Sequence, residues 1–197
     1  ARVVKVIICL LAPILLSFSG IGVNDTDKKK STSKEVDDTL RIVITGDLLL
    51  DRGVRQKIDM AGVDALFSPT IDSLFHSSNY VIANLEFPVT KIRERVFKRF
   101  IFRGEPEWLP TLRRHGITHL NLANNHSIDQ GRNGLLDTQE QIKKAGMIPI
   151  GAGKNMEEAA EPVLISTSPR HVWVVSSLRL PLENFLYLPQ KPCVSQE

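Results

Sequence analysis

The stretch Gly116-Ile117-Thr118-His119-Leu120-Asn121-Leu122, followed at once by Ala123-Asn124-Asn125-His126-Ser127-Ile128-Asp129-Gln130-Gly131, decides the fold of this chain. Its first half is a short apolar run typical of a buried strand, and its second half places two amides, an imidazole and a carboxylate where that strand ends. In open α/β sheets, ligands bind at the carboxyl ends of the strands. An amide oxygen can ligate a metal and an imidazole can protonate a leaving group, although Asn124-Asn125 could also be ordinary loop and helix-cap residues.

Two further predicted strands end in the same way. A strand over residues 41–46 leads into Asp47, and a strand over residues 79–85 carries Asn84 and is followed by Glu86. If the strands are parallel neighbours, their polar ends converge on one edge of the sheet. Any one of these residues could be a cap or a turn residue, but the three strand ends together favour a metal site.

The polar motifs, taken in their order along the chain, resemble the capsule-synthesis protein CapA family. This is the poly-gamma-glutamate synthesis family, which is related to the calcineurin-like metallophosphoesterases. The resemblance covers residues 40–178 and rests on Gly46-Asp47, Ala83-Asn84-Leu85-Glu86, Phe102-Arg103-Gly104-Glu105-Pro106-Glu107, Ala123-Asn124-Asn125-His126 with Asp129 and Gly131, and Gly151-Ala152-Gly153 with Glu158-Ala159.

The resemblance implies a site for two divalent metal ions and a role for each motif residue. Asp47, Glu86 and Asn125 resemble the metal ligands, and His126 resembles the residue that contacts phosphate and protonates the leaving group. The residues beside them, expected to support the ligands, are Asn84, Asn124 and Asp129. Asp129 could orient His126 or cap the following helix, and the sequence favours the cap. Carboxylate and amide ligands suit Mg or Mn, whereas added imidazoles would suit Mn, Fe or Zn.

The chain also departs from the superfamily pattern. Leu49 stands where a histidine usually follows the first aspartate by two residues, and related proteins supply further imidazole ligands downstream of the sixth strand. Of the other histidines, His119 fits a strand role better than a site role, and His76 and His171 fit surface or strand positions. We therefore expect about half of a dinuclear site, on a fragment of a longer protein that binds metal weakly and shows little hydrolysis by itself.

The pattern of elements predicts an α/β domain from residue 40 to residue 197. Strands are expected over residues 41–46, 79–85, 117–122 and 147–150, with helices over 51–60, from Ser68-Pro69, 106–114, 135–145 and 155–160. A hairpin is expected for strands 162–165 and 171–176. The resemblance makes this the N-terminal part of a metallophosphoesterase-like α/β/β/α sandwich with a mixed sheet, truncated at the C-terminus.

The N-terminal residues read as a targeting segment followed by a linker. Residues 1–23 combine Arg2 and Lys5 with an apolar run and then small residues, which is the layout of a secretory signal, with a retained signal anchor as the alternative. Residues 24–39 are polar and predicted to be disordered. These segments predict export to the periplasm or another extracytoplasmic part of the cell envelope. The two cysteines, Cys9 and Cys193, are distant in the sequence and indicate no disulfide framework.

Two classes of function remain. The first is a metal-dependent hydrolase of the cell envelope that acts on a phosphoester or on bonds of a polymer. The second is a non-catalytic component that binds and guides an anionic capsule polymer within a membrane complex, for which the basic segment 91–103 is the candidate surface. The pattern of that segment by itself favours a solvated helix face over a binding surface. The net charge of +3 is too small to favour nucleic acid as a partner.

Overall fold

A computed structural model describes residues 39–179 and 187–197, together with the backbone of the strand Val6–Leu10. Residues 24–38 of the predicted linker lie outside the described residues, as does most of the predicted signal. Val6–Leu10 pairs antiparallel with the strand Val172–Ser176. The assignment of residues 1–23 as a signal stays a prediction.

Strands and helices alternate along the described chain in the predicted order. The elements are β1 (Val6–Leu10), β2 (Ile42–Leu48), α1 (Gly53–Ala61), α2 (Pro69–His76), β3 (Tyr80–Leu85), α3 (Leu109–Arg114), β4 (His119–Asn121), α4 (Gly131–Lys144), β5 (Ile148–Ile150), β6 (Ala152–Gly153), α5 (Met156–Ala160), β7 (Val163–Ser166), β8 (Val172–Ser176) and β9 (Cys193–Val194). Short 3-10 helices cover Val63–Leu66 and Pro106–Trp108. The β-α alternation produces the α/β fold expected from the sequence.

The central sheet contains four parallel strands in the order β2-β3-β4-β5. In β3, every second residue faces the helices. These residues are Val81, Ala83 and Leu85, and their side chains are buried in the main core. The helices contribute mainly leucine and isoleucine to that core, as at Leu112 and Leu135. This alternation leaves the other residues of β3 and β4 facing the opposite side of the sheet.

A second, antiparallel sheet covers that opposite side. Its order is β1-β8-β7, and the β7–β8 pair confirms the predicted hairpin. The two sheets pack through a separate apolar cluster that joins Ile82 and Ile150 to Ile165, Val172 and Val174. Parallel and antiparallel strands are thus divided between two packed sheets. The described residues form the α/β/β layers of a partial metallophosphoesterase-like sandwich, as predicted.

Two local features differ from the sequence-based expectation. Helix α4 begins at Gly131, four residues before the predicted Leu135, because the backbone of Gly131 has a φ of 72° that turns the chain into the helix. The basic segment 91–103 is a loop, so the alternative of a solvated helix face is wrong. Its ends are joined by a bridge between Val89 and Gly104. That loop lies beside the carboxyl edge of the parallel sheet, because Lys98 and Phe102 both contact Asp129.

Candidate functional site

A row of polar side chains connects three neighbouring strands at the carboxyl edge of the parallel sheet. The Nδ2 group of Asn84 donates to Oδ1 of Asp47 at 2.7 Å, and Nδ2 of Asn121 donates to Oδ1 of Asn84 at 2.7 Å. These residues stand opposite each other in the sheet register. Asn124 joins the row through a 3.1 Å hydrogen bond from its Nδ2 group to Asn84. Asp47, Asn84 and Asn124 therefore meet at one edge of the sheet, whereas the predicted clustering of Asp47, Glu86, Asn125 and His126 stays a prediction.

A bulge in β2 brings Asp47 to this row. Ile44 pairs with Ile82, but Asp47 pairs with Asn84, so β2 has three steps where β3 has two. One extra residue in a strand moves every later side chain to the other face of the sheet. Without this bulge, Asp47 would face the helices. With it, Asp47 lies on the face that carries Asn84, and its side chain is exposed.

Asn121 belongs to the site although the sequence motifs did not include it. It is buried, and its Oδ1 accepts hydrogen bonds from the Ser176 hydroxyl at 2.5 Å and from the Ala123 backbone at 3.1 Å. Ser176 lies on β8, so this contact fastens the antiparallel sheet to the site edge. The available signal was a polar residue inside an otherwise apolar strand, since a buried amide needs partners.

Asn124 and Asn125 differ in what their side chains can do. Asn124 donates to the Leu85 carbonyl at 2.9 Å, and its Oδ1 accepts from the His126 backbone and the Ser127 hydroxyl, both at 3.0 Å. Asn124 is thus a loop-stabilising residue, as the simpler alternative predicted. The Asn125 side chain makes no hydrogen bond with the described residues, and only its backbone carbonyl is bound, to Lys98 at 2.8 Å. Its amide oxygen can accept a ligand.

His126 is held by a buried carboxylate. Its Nδ1 lies 2.8 Å from Oδ2 of Asp129, which also accepts from the Phe102 backbone at 2.8 Å. Because a carboxylate can only accept, Nδ1 carries a proton, and Nε2 is the ring nitrogen that this contact leaves available for chemistry. The Phe102 ring packs on the imidazole with centroids 4.4 Å apart. Asp129 therefore orients His126, and the predicted helix cap is wrong, since no side chain caps α4.

Lys98 completes this group and was missed by the sequence motifs. Its Nζ lies 2.6 Å from Oδ1 of Asp129, and both side chains are buried, at 3% and 0% exposure. A buried carboxylate without a partner is costly, and a nearby ammonium group offsets that cost. The lysine stood within a run of basic residues, where no local pattern distinguishes the one that enters the core.

Glu86 directly follows β3 and contacts the end of β2. Its backbone N–H donates to the Leu48 carbonyl at 3.1 Å, and its side chain is partly buried. Within the described ranges, no three His, Cys, Asp or Glu side chains group closely enough to hold a metal ion. The exposed Asp47 carboxylate, the Glu86 carboxylate and the unengaged Asn125 amide are hard oxygen donors. Oxygen donors of this kind are the ligands that hard divalent cations take in proteins.

The remaining histidines lie apart from this group. His119 is buried on β4 facing the second sheet, and desolvation, with the positive charge of Arg113, lowers its pKa to about 4. His115 is bound by Asp72 at 2.5 Å and Asp64 at 2.9 Å, and it stacks on Phe67. The burial of His119 and the contacts of His115 give these two residues structural roles. His76 bonds to backbone carbonyls on the surface, and His171 is exposed.

Sequence comparison shows which known proteins this chain is similar to. A sequence model described as "Bacterial capsule synthesis protein PGA_cap" matches residues 41–182. The PGA biosynthesis protein CapA of Bacillus subtilis (strain 168) is 30% identical over 152 residues, which are 76% of this chain and 39% of that protein. The capsule biosynthesis protein CapA of Bacillus anthracis is 29% identical over 161 residues, which are 80% of this chain and 38% of that protein.

A third relative extends the similarity to another genus. The uncharacterized protein y4uA of Sinorhizobium fredii (strain NBRC 101917 / NGR234) is 26% identical over 152 residues, which are 74% of this chain and 32% of that protein. The chain spans less than two fifths of the length of these relatives. The matched residues include all three polar strand ends and the whole described sandwich apart from its outermost segments. The chain belongs to the bacterial capsule synthesis protein PGA_cap family.

Proposed function

We propose that this chain forms part of a metal-dependent hydrolase of the bacterial cell envelope that acts in capsule or poly-gamma-glutamate biosynthesis. The observation that supports this most is the carboxyl edge itself. One hydrogen-bonded row fixes Asp47 through Asn84, and a buried carboxylate fixes His126 on the loop that follows β4. An acidic ligand and an oriented imidazole at one sheet edge are the parts that hydrolysis of a phosphoester or a polymer bond requires.

Each residue has a role in this proposal. In this proposal the oxygen atoms of Asp47, Glu86 and Asn125 would hold divalent metal ions, two in the full-length protein. When bound, such a cation polarises the phosphoryl or carbonyl oxygen of the substrate and activates water. The identity of the metal as Mn, Mg, Fe or Zn is left open by these ligands.

His126 moves a proton in this mechanism. Its Nδ1–H donates to Asp129, so the proton that the protonated ring carries on Nε2 is the one it gives to the leaving oxygen or nitrogen of the substrate, which leaves the ring neutral. Lys98 balances the negative charge of Asp129 within the protein. Phe102 covers one face of the imidazole and keeps water away from it. The side chain of Asn124 accepts a hydrogen bond from the backbone N–H of His126 and so fixes the position of that residue.

The second candidate is a non-catalytic component that binds and guides an anionic capsule polymer. The basic loop 91–103 favours it, because several of its side chains are exposed and positively charged. Both candidates take an anionic polymer or phosphoester as the partner, neither involves nucleic acid, and both are compatible with a capsule-synthesis complex at the membrane. They differ in whether a metal and His126 are needed.

The proposed location is outside the cytoplasm, with residues 1–23 as the signal or anchor and 24–39 as a tether. Among the described helices, none is both long and apolar enough to cross a bilayer. Reporter fusions after Lys30 test the location: a reporter active only outside the cytoplasm should be active. Activity of a reporter that works only in the cytoplasm would contradict export.

Metal analysis of the full-length protein, combined with hydrolysis of a generic phosphodiester, tests the enzymatic proposal. We expect about two metal ions per chain, with fewer in Asp47→Ala and Asn125→Ala. His126→Gln should keep the metal and lose most of the rate, about 100-fold or more. Asp59→Ala removes an exposed carboxylate from α1 and is the matched control. Full metal content in Asp47→Ala, or an unchanged rate in His126→Gln, would leave the polymer-binding candidate in place.

A further inference from the structure

A pocket of about 230 Å³ lies beside the candidate site, and Phe102, whose ring packs on His126, is one of its lining residues. Four arginines line it, namely Arg55, Arg93, Arg95 and Arg103, and the other polar lining residues are Asp51 and Gln130. We call this the arginine pocket. It uses none of the residues assigned above to metal binding or proton transfer.

Two of the arginines are neutralised by protein carboxylates and form the frame of the pocket. Arg55 pairs with Asp51 at 3.1 Å and with Glu105 at 3.0 Å, and Arg103 pairs with Glu105 at 2.5 Å. Arg55 also stacks over the Trp108 ring at 4.7 Å. These contacts hold both guanidinium groups in place before any ligand arrives, which lowers the entropic cost of binding.

The one carboxylate in the pocket wall is fully engaged. Oδ1 of Asp51 accepts from the Arg52 backbone at 2.8 Å and from Arg55, and Oδ2 accepts from the Arg103 backbone at 3.0 Å. Burial opposes ionisation of Asp51, but these hydrogen bonds outweigh it and lower its pKa. Asp51 therefore acts as part of the frame, because both of its oxygens already accept hydrogen bonds from the protein.

Arg93 and Arg95 supply the uncompensated charge. Both are exposed on the loop, and neither forms an ion pair with any residue in the described part of the chain. The four guanidinium groups of the pocket carry four positive charges, and the carboxylates of Asp51 and Glu105 balance two of them. Two unpaired positive charges at the mouth of a framed cavity are an arrangement that binds an oxyanion, because guanidinium donors match carboxylate and phosphate oxygens in pairs.

Gln130 adds a second requirement on the ligand. Its side chain is 3% exposed, and its Nε2 group donates to the Phe102 carbonyl at 3.2 Å. Its Oε1 has no hydrogen-bond partner among the described residues. A buried acceptor without a donor lowers stability, and a ligand N–H or O–H group would relieve that cost. The ligand should therefore carry a hydrogen-bond donor close to its negative charge.

We propose that the arginine pocket binds an oxyanion group, with Arg93 and Arg95 contacting the anion and Gln130 accepting a hydrogen bond from a neighbouring N–H or O–H of the same ligand. A carboxylate next to an amide N–H and a hydrogen phosphate both have this chemistry. The proposal concerns binding alone and does not depend on hydrolysis or on a metal. It identifies a docking point for an acidic chain in a pocket whose Phe102 ring also contacts His126.

Calorimetric titration of the whole chain with simple probes tests the proposal. The probes are inorganic phosphate, N-acetylglycine, and N-acetyl-N-methylglycine, which has the same carboxylate but lacks the N–H group. We expect N-acetylglycine to bind more tightly than its N-methyl analogue, by about tenfold, because only the former satisfies Gln130. Binding should weaken as salt is raised, because ions screen exposed charges.

Variants locate the site. The double variant Arg93→Gln/Arg95→Gln changes two exposed residues and should weaken the binding of N-acetylglycine by about tenfold or more. Lys57→Gln/Arg170→Gln removes the same number of charges elsewhere on the surface and should bind like the parent chain. If phosphate binds and N-acetylglycine does not, the ligand is a phosphate and the oxyanion site stands.

Two results would overturn the proposal. One is the absence of binding for both phosphate and N-acetylglycine. The other is equal binding by the parent chain and the Arg93→Gln/Arg95→Gln variant. Equal affinity for N-acetylglycine and its N-methyl analogue would remove the role given to Gln130. None of these results depends on metal content or hydrolysis, so they are distinguishable from a failure of the proposed enzymatic function.

Discussion

The side-chain amide of Asn84 donates to the carboxylate of Asp47 across the β2–β3 pair, at 2.7 Å. Asn84 in turn accepts hydrogen bonds from Asn121 and Asn124. One asparagine thus joins the metal-ligand candidate Asp47 to the loop that carries His126. The geometry of the candidate site depends on this residue more than on any other in the row.

Replacement of Asn84 by alanine should destabilise the chain. The change leaves the Nδ2 group of Asn121 with no acceptor in a buried position and removes one acceptor from Asn124. We expect the free energy of unfolding to fall by about 2–4 kcal/mol, since each buried polar group left unsatisfied costs about 1–3 kcal/mol. Chemical denaturation measures the change. Asn133→Ala, which loses only an exposed contact with Glu94, should change it by about 0.5 kcal/mol or less, and an equal loss in both variants would contradict the argument.

The Lys98–Asp129 pair should show the asymmetry of a buried ion pair. Lys98→Met leaves the Asp129 carboxylate buried without a cation, and we expect a loss of about 3–5 kcal/mol in the free energy of unfolding. The double variant Lys98→Met/Asp129→Asn removes both charges and should recover part of that loss. A double-mutant cycle by denaturant unfolding measures the coupling. Strictly additive effects would mean that the pair does not act as a unit.

Glu105 should make stability depend on acid pH. The hydrogen bond from Arg103 is the largest cause that lowers its pKa, which falls from 4.5 to about 2, with further hydrogen bonds from Lys91 and Arg55. Folding favours the ionised form, so this contribution is complete above pH 4.5 and is lost as the pH falls toward 2. Denaturation at a series of pH values should show a flatter acid dependence for Glu105→Gln. Glu157→Gln, which changes an exposed glutamate, should behave like the parent chain, and an unchanged slope in Glu105→Gln would refute the assignment.

His119 should remain neutral at mildly acid pH. Burial lowers its pKa from 6.5 to about 4, helped by the charge of Arg113. Since folding favours the neutral ring, its contribution to stability is complete above pH 6.5 and is lost as the pH falls toward 4. Histidine NMR at pH 5 should find the His119 ring unprotonated. A midpoint near 6.5 for His119 would show that the ring is hydrated in solution.

The sequence by itself determined the order of the elements and the place where function concentrates. Apolar runs and helix signals are local, so the four parallel strands, the hairpin and the helix at Ser68-Pro69 follow from short segments of chain. The Ser68 hydroxyl accepts from the Ile71 backbone as a cap should, and Pro69 opens the helix. Polar residues at the ends of three such strands were enough to predict a shared sheet edge.

The tertiary structure decided which partner each polar side chain takes. Asp129 looked like a helix cap because a cap is a local contact, but it pairs with His126 and with Lys98, which is 31 residues away in the chain. The bulge in β2 that turns Asp47 toward Asn84 exists only in the pairing of two strands. The Lys98 side chain is buried, whereas the nearby Arg93 and Arg95 are exposed, and no local sequence pattern predicts this difference. Burial and register are properties of the packed chain, because they depend on segments that meet only when the sheets close.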